Sequence, residues 1–313
     1  MNEPNVLNPL VSVIVTTRNE ERNIGNCLQS IQLQTYEPIE IIVVDNNSTD
    51  RTKEIARRFT DVVVNKGPER SAQRNHGICY LANGQYAMFI DADMILSPTL
   101  IDSCVAEIKT DGVVALHIEE LILGRRSLAK IRRFERSFYS GTVIDGARFF
   151  RRSLFSELGG FDEELPPGPE DWDLDKRLKK VGKILLVPNL GEKYEWKMRD
   201  FVKSLGVRIK DEYVGIYHNE AEQSLKSYLS KKSYYSQSMN SYITKWGESD
   251  PDISKQLGLV YRYFLVFVEN SKYKRILNSP VLAAGMLALR LSVGICYLVT
   301  KRAKITEIKA TTP

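Results

Sequence analysis

From residue 10 to about 118, short apolar, β-branched runs alternate with amphipathic stretches. Residues 10–16, 39–44, 61–64 and 86–90 read as strands, while 23–32, 49–59 and 71–81 repeat their apolar positions at the three-to-four spacing of helices. This alternation predicts an α/β fold with a mixed, mostly parallel sheet flanked by helices. Ligands of such sheets collect where strands end and helices begin. Residues 143–150 read as a further strand and 170–180 as a helix, with Leu165-Pro166-Pro167-Gly168-Pro169 before it as a mobile flap. Beyond about Gly206 the alternation fades. From Leu257 two apolar blocks follow, 257–268, which contains Arg262, and 281–299, interrupted only by Arg290.

Composition adds exclusions. With 313 residues, 43% hydrophobic and 27% charged, the chain can bury a self-sufficient core, and neither disorder nor a fibrous fold fits. Cys27, Cys79, Cys104 and Cys296 include no C-x-x-C pair, which argues against a disulfide framework or zinc site and for reduced thiols in a cytosolic protein. Residues 1–10 have no basic side chain and no apolar run of signal-peptide length, so the catalytic part is expected on the cytoplasmic side. The net charge of +5 names no polyanionic partner and gives no reason to expect nucleic acid. Its distribution is uneven, however: 121–140 holds six basic residues against Glu135 alone, and 301–313 holds four against one.

Phe89-Ile90-Asp91-Ala92-Asp93-Met94 is an apolar strand running into two carboxylates spaced by one residue. Side chains two apart on a strand point the same way, so Asp91 and Asp93 would face one hard cation. An N-cap plus a turn aspartate before Ser97-Pro98 is the plainer alternative. Upstream, Asp45 follows the buried run Ile41-Ile42-Val43-Val44 and suits a hydrogen bond to a ribose or base. An EF-hand beginning at Asp45 fails, because Asp50 and Ala56 stand where glycine and glutamate are needed. Ser48 or Thr49 would cap the next helix. Neither G-x-G-x-x-G nor a P-loop occurs, so phosphate would have to be met by a metal and by side chains such as Arg74, although a helical arginine is more often merely solvated. Finally, Glu170-Asp171-Trp172-Asp173-Leu174-Asp175 places four acids in six residues, more than the helix dipole requires. Repulsion or partial burial would raise one carboxyl's pKa and make it a usable general base.

Taken in order, strand-end Asp45, the Arg74 helix, Asp91-Ala92-Asp93, Gly159-Gly160-Phe161-Asp162 and Glu170-Asp171 resemble the family 2 glycosyltransferases, which have the GT-A fold. The opening Val11-Ser12-Val13-Ile14-Val15-Thr16-Thr17-Arg18-Asn19-Glu20 is similar to that family's first strand and loop, and the resemblance covers roughly residues 10–220. It implies that Thr17, Asn19 and Glu20 line a base and ribose pocket with Asp45, and that Arg74 neighbours the nucleotide. It also implies that Asp93, with Asp91, holds Mg²⁺ or Mn²⁺ against the diphosphate. Asp171 matches the family's base, with Glu170 in support and Trp172 stacking on an acceptor sugar. His218 stands where similar enzymes place a late metal or phosphate contact. The implied reaction is inverting, metal-dependent sugar transfer from a nucleotide-sugar donor to a glycan or lipid-linked acceptor.

Polyprenyl-phosphate sugar synthases resemble the first half too, but their anionic acceptor needs no base, so Glu170-Asp171 favours a hydroxyl acceptor. A nucleotidyltransferase would show a glycine-rich basic loop where Thr17-Arg18-Asn19-Glu20 stands. A silent GT-A binding module is opposed by the intact aspartates. Residues 1–220 are accordingly expected to be the catalytic domain and 221–313 a helical region attached to the cytoplasmic face of the cell membrane. The attachment would use 257–304 and the basic segment 121–140, with Tyr261, Tyr263, Tyr273 and Tyr297 at the interface. Arg290 would cost a spanning helix roughly 2.5–3.5 kcal/mol.

Overall fold

The structure, a computed structural model, describes residues 8–189, 191, 193–210, 212–236 and 238–311, and for 236, 270 and 297–311 the backbone alone. Tyr297 and the basic cluster Lys301, Arg302 and Lys304 lie outside the described side chains. The first half runs β1 (Val11–Thr17), α1 (Ile24–Gln32), β2 (Ile39–Asp45), α2 (Thr52–Ala56), β3 (Val63–Asn65), α3 (Arg70–Asn75), β4 (Tyr86–Asp91), β5 (Met94–Leu96), α4 (Leu100–Glu107), β6 (Val113–His117) and β7 (Glu120–Leu123). There follow α5 (Ser127–Arg136), β8 (Ala147–Arg151), α6 (Arg152–Glu157), α7 (Glu170–Lys179), β9 (Lys183–Leu186), α8 (Arg199–Ser204) and β10 (Ile216–Asn219). After β10 the described elements are helical: α9 (Leu225–Ser236), α10 (Met239–Trp246), α11 (Pro251–Leu257), α12 (Val266–Val268), α13 (Tyr273–Asn278) and α14 (Pro280–Thr311).

Seven strands form the main sheet in the order β3-β2-β1-β4-β8-β6-β9. All pairings are parallel except those of β8, which runs antiparallel to both β4 and β6. β1 is buried throughout, as central strands covered on both faces must be. Val11, Val13 and Val15 pack into one apolar layer while Ile14 packs into the other, the two-residue alternation of a strand. A small second sheet, β5-β10-β7, crosses the end where β4 finishes.

The predicted helix over 71–81 is α3 followed by a wider π-helical turn, His76–Leu81, a feature that often marks functional sites. The expected flap at 165–169 is pinned: Leu165 is buried with Tyr242 and Ile253, and Ser238 Oγ donates to the Pro167 carbonyl. The basic run 121–140 turns half of its cations into the protein. Arg132 pairs with Glu135 and Glu220, Arg136 with Glu120 and Asp145, and Arg133 donates to the Ile122 and Gly124 carbonyls, which leaves Arg125, Arg126 and Lys130 on the surface.

Arg290 is likewise turned inward. It lies 3.3 Å from Glu135, donates to the Tyr139 hydroxyl at 2.5 Å, and also donates to the Arg262 carbonyl. This explains how a charge sits inside the second apolar block: it holds α14 against α5, while Val281, Leu287, Leu291 and Ile295 of the same helix face outward. Among the described residues no helix is long and apolar enough to cross a membrane.

Candidate active site

Parallel pairing brings the polar ends of three strands level. Thr17 stands opposite Asp45 and Thr16 opposite Asp91. The side chain that organises what lies above them is Arg74, only 1% exposed. Its guanidinium donates to Asp171 at 3.0 Å and to Asp91 at 3.2 Å, and lies 3.9 Å from Glu170. It sits 4.0 Å from the centroid of Phe89 and 5.2 Å from that of Phe161, so the two rings hold its faces while carboxylates take its edges. Arg74 is therefore no solvated helical arginine. It joins the β4 end to the start of α7.

The Gly159-Gly160-Phe161-Asp162 motif delivers that second ring. Phe161 N donates to Asn75 Oδ1 while Asn75 Nδ2 donates to the Phe161 carbonyl, which fastens the motif to the residue after Arg74. Gly160 has φ +64°, and a Cβ there would lie 2.4 Å from Asn75 Oδ1, so the contact requires glycine.

Asp171 keeps 30% of its side chain exposed. Burial, reinforced by the neighbouring Glu170 charge, raises its pKa above the ordinary aspartate value against the pull of Arg74. Glu170 is fully buried beneath it, 2.6 Å from Arg70, and accepts from the Gly168 amide at 2.5 Å. It therefore anchors α7 to α3 and the proline loop, a positioning role. Trp172 is partly buried: its ring lies 6.2 Å from that of Tyr242 of α10 and packs against the apolar clusters that contain Leu165 and Tyr139.

Asp91 and Asp93 do not share one strand face, because β4 ends at Asp91 and a turn follows. Asp91 accepts from Thr16 Oγ1 and Arg74. Burial works against its charge, but Arg74, Arg148 and Arg70 outweigh it and hold this carboxyl well below the usual range. Asp93 turns to His218, 3.3 Å away across the β5–β10 pair, and its Oδ1 is buried with no hydrogen-bond partner. His218 lies between Asp93 and Glu120, 3.6 Å on its other side; these carboxylates overcome burial and raise its pKa to about 10. Among the described residues no cluster of three His, Cys, Asp or Glu side chains closes around a metal position. The orphaned Asp93 oxygen beside an imidazole nonetheless suits a hard cation completed by substrate oxygens.

The loop after β1 is built by hydrogen bonds to the loop after β2. Asn19, at φ 55°, accepts from the Thr49 amide and donates its own amide to Ser48 Oγ; the Glu20 amide donates to Thr52 Oγ1. Thr17 Oγ1 is buried without a partner. Asp45 is fully buried with both oxygens turned onto Ser48, accepting from its amide and hydroxyl, so in this arrangement it shapes the loop and presents no free edge to a ribose. The start of α2 is capped by Asp50, which accepts from Thr52, and not by Ser48 or Thr49.

Sequence reasoning missed Arg70, Glu120, Arg148 and Gly146. Arg148 pairs with Glu120 at 2.6 Å and approaches Phe89 from beside Arg74, while a Cβ on Gly146 would lie 2.8 Å from that of Asp171. No local pattern marks these residues, since each gains its role from a partner distant in the chain.

Residues 12–159 match the family model described as Glycosyl transferase family 2. The chain is 37% identical over 114 residues to Glycosyltransferase AglE of Haloferax volcanii, a match covering 34% of this chain and 37% of that one. It is 27% identical over 192 residues to glycosyltransferase YwdF of Bacillus subtilis, covering 57% and 71%. The matched stretch thus spans little more than a third of AglE. In structure the chain is similar to the mannosyltransferase PcManGT of Pyrobaculum calidifontis, solved with GDP-Man and Mn²⁺, at TM-score 0.57 and 19% identity over 96% of this chain and 87% of that one. The likeness to PcManGT shows the fold, GT-A, and residues 12–159, a little under half of the chain, are similar to glycosyl transferase family 2.

Proposed function

We propose that this chain transfers a sugar, with inversion, from a nucleotide-sugar donor to a hydroxyl of a glycan or lipid-linked acceptor. The observation that carries the reading is the bridge from Arg74 to Asp91 and Asp171, which brings the donor end of the sheet and a carboxyl of raised pKa into one site. An acceptor hydroxyl is a poor nucleophile until a base takes its proton, and Asp171 is the partly exposed carboxylate placed to do so. Attack on the face opposite the departing nucleotide inverts the anomeric centre. Thr17, Asn19 and Glu20 line the nucleotide side, with Asp45 holding their loop. Asp93 is the residue that would hold Mg²⁺ or Mn²⁺, with His218 beside it able to join only once the cation displaces its ring proton; such a cation neutralises the charge of a departing diphosphate.

The test of this reading is calorimetry of nucleotide sugars with and without Mn²⁺. Wild-type protein is expected to bind at least one donor in a Mn²⁺-dependent manner. Asp93→Ala should weaken that binding at least about tenfold, as losses of residues around a metal do. Unchanged affinity in the variant would refute the metal assignment, and no donor binding by wild type would refute the donor.

Membrane attachment belongs to the same proposal. Eleven exposed large apolar side chains lie between Leu259 and Ile295, among them Phe264, Leu277, Val281 and Leu291, with Lys274 and Arg275 exposed among them. Apolar side chains beside cations suit the surface of an anionic bilayer on the cytoplasmic face. Full-length protein should sediment with phosphatidylglycerol vesicles, and the Phe264→Ser, Leu277→Ser, Leu291→Ser triple variant should not, because each large apolar side chain contributes roughly 1.5–3 kcal/mol when buried. If the wild type stays in the supernatant, the attachment is wrong.

A further inference from the structure

A cleft of about 250 Å³ opens between the loops after β1 and β2, the start of α3 and the second half of α9. Its lining includes Arg18, Asn46, Arg70, Lys231, Tyr234 and Tyr235. Three of these come from α9, which lies outside the residues that match the family model.

The cleft's chemistry is distributed in layers. Arg70 is already engaged: it pairs with Glu170 and lies 5.0 Å from the centroid of the Tyr235 ring, so Tyr235 serves the arginine. Tyr234 is differently placed. The residue is 47% exposed and its hydroxyl donates to Glu69 at 3.2 Å, which tethers the side chain at its tip. Arg18 and Lys231 are exposed cations with no ion-pair partner among the described residues. The volume falls below the roughly 300–1,000 Å³ of sites that enclose drug-sized ligands, which suits one planar ring with its ribose better than an oligosaccharide. An aromatic face fixed beside two unpaired cations is how proteins hold a base and its phosphate without reading its edges.

We propose that α9 forms the outer wall of the donor pocket, with Tyr234 stacking on the nucleobase and Arg18 and Lys231 meeting the ribose-phosphate side. The inference rests on the nucleotide-sugar reading above. The wall also touches the chemistry: Gly168, whose amide donates to Glu170, packs against Tyr235.

The experiment is titration of UDP, GDP, ADP, dTDP and inorganic pyrophosphate, each with Mn²⁺, into the full chain and into Tyr234→Ala, Tyr234→Phe and Lys231→Gln. Tyr234→Ala should weaken nucleoside diphosphate binding by about five- to 150-fold, the range for loss of one base–aromatic stack. Tyr234→Phe, which keeps the ring, should retain most of the affinity, Lys231→Gln should lose part, and pyrophosphate affinity should not move with Tyr234. In turnover, the loss in Tyr234→Ala should fall on the donor KM and not on kcat. A folded Tyr234→Ala protein with unchanged nucleotide affinity overturns the inference, as does an equal loss for pyrophosphate. Wild-type protein that binds pyrophosphate but no nucleotide also overturns it, whereas binding of neither overturns the donor reading with it.

Discussion

Asp171→Asn is expected to lower kcat for sugar transfer by roughly 10²–10⁴-fold, the usual contribution of a positioned general base, with nucleotide-sugar affinity nearly intact. Asparagine keeps the size of the side chain, and Arg74 keeps Asp91 as a partner, so the site should stay assembled. The wild-type pH profile provides an independent check. Because burial raises the Asp171 pKa, the base is protonated at pH values where a free aspartate, of pKa about 3.9, is already charged. Activity should therefore be lost on acidification through a pKa above that value. An acid limb at or below it, or a variant turning over within tenfold of wild type, contradicts the assignment.

Arg74→Met should be the most damaging single change to the fold of the site. Removing one member of a buried ion network leaves its partners uncompensated, at a cost of roughly 3–5 kcal/mol. The low end is expected, because the Asp91 and Asp171 side chains each keep 30% exposure and water will solvate part of the freed charge. A chemical-denaturation midpoint lower by that amount should be accompanied by a second effect. Arg74 lowers the pKa of Asp171, so its loss moves the acid limb of any residual activity to higher pH. Arg74→Lys should not rescue both properties, since an ammonium lacks the planar fork that reaches two carboxylates at once. A variant as stable as wild type with an unmoved limb would show that Arg74 is a bystander.

The parts legible in the sequence were those written locally. The strands announce themselves because β1, β2 and β4 are buried β-branched and aromatic runs, and the acids at their ends stand out against that background. Glu170-Asp171 was legible for the same reason, as more negative charge than one helix start needs. Arg74 was not: in Ser71-Ala72-Gln73-Arg74-Asn75 it reads like any solvated arginine, and its partners lie 17 and 97 positions away. Arg290 shows the same limit. Within an apolar block it reads as a costly interruption, whereas its counter-charge, Glu135, is 155 positions distant and makes it the link between two helices. Local rules also stop where the chain turns or meets distant partners: Asp91 and Asp93 would share a face only on extended backbone, and the strand ends at Asp91, while the proline-rich loop reads as free in sequence but is held by α10 and its neighbours.

The most direct test of the central claim is release of nucleoside diphosphate from a panel of nucleotide sugars in the presence of Mn²⁺, with wild-type protein and Asp171→Asn side by side. The account predicts that at least one donor is consumed by the wild type and is bound but scarcely consumed by the variant. Consumption of no donor by either protein, or equal consumption by both, would contradict it.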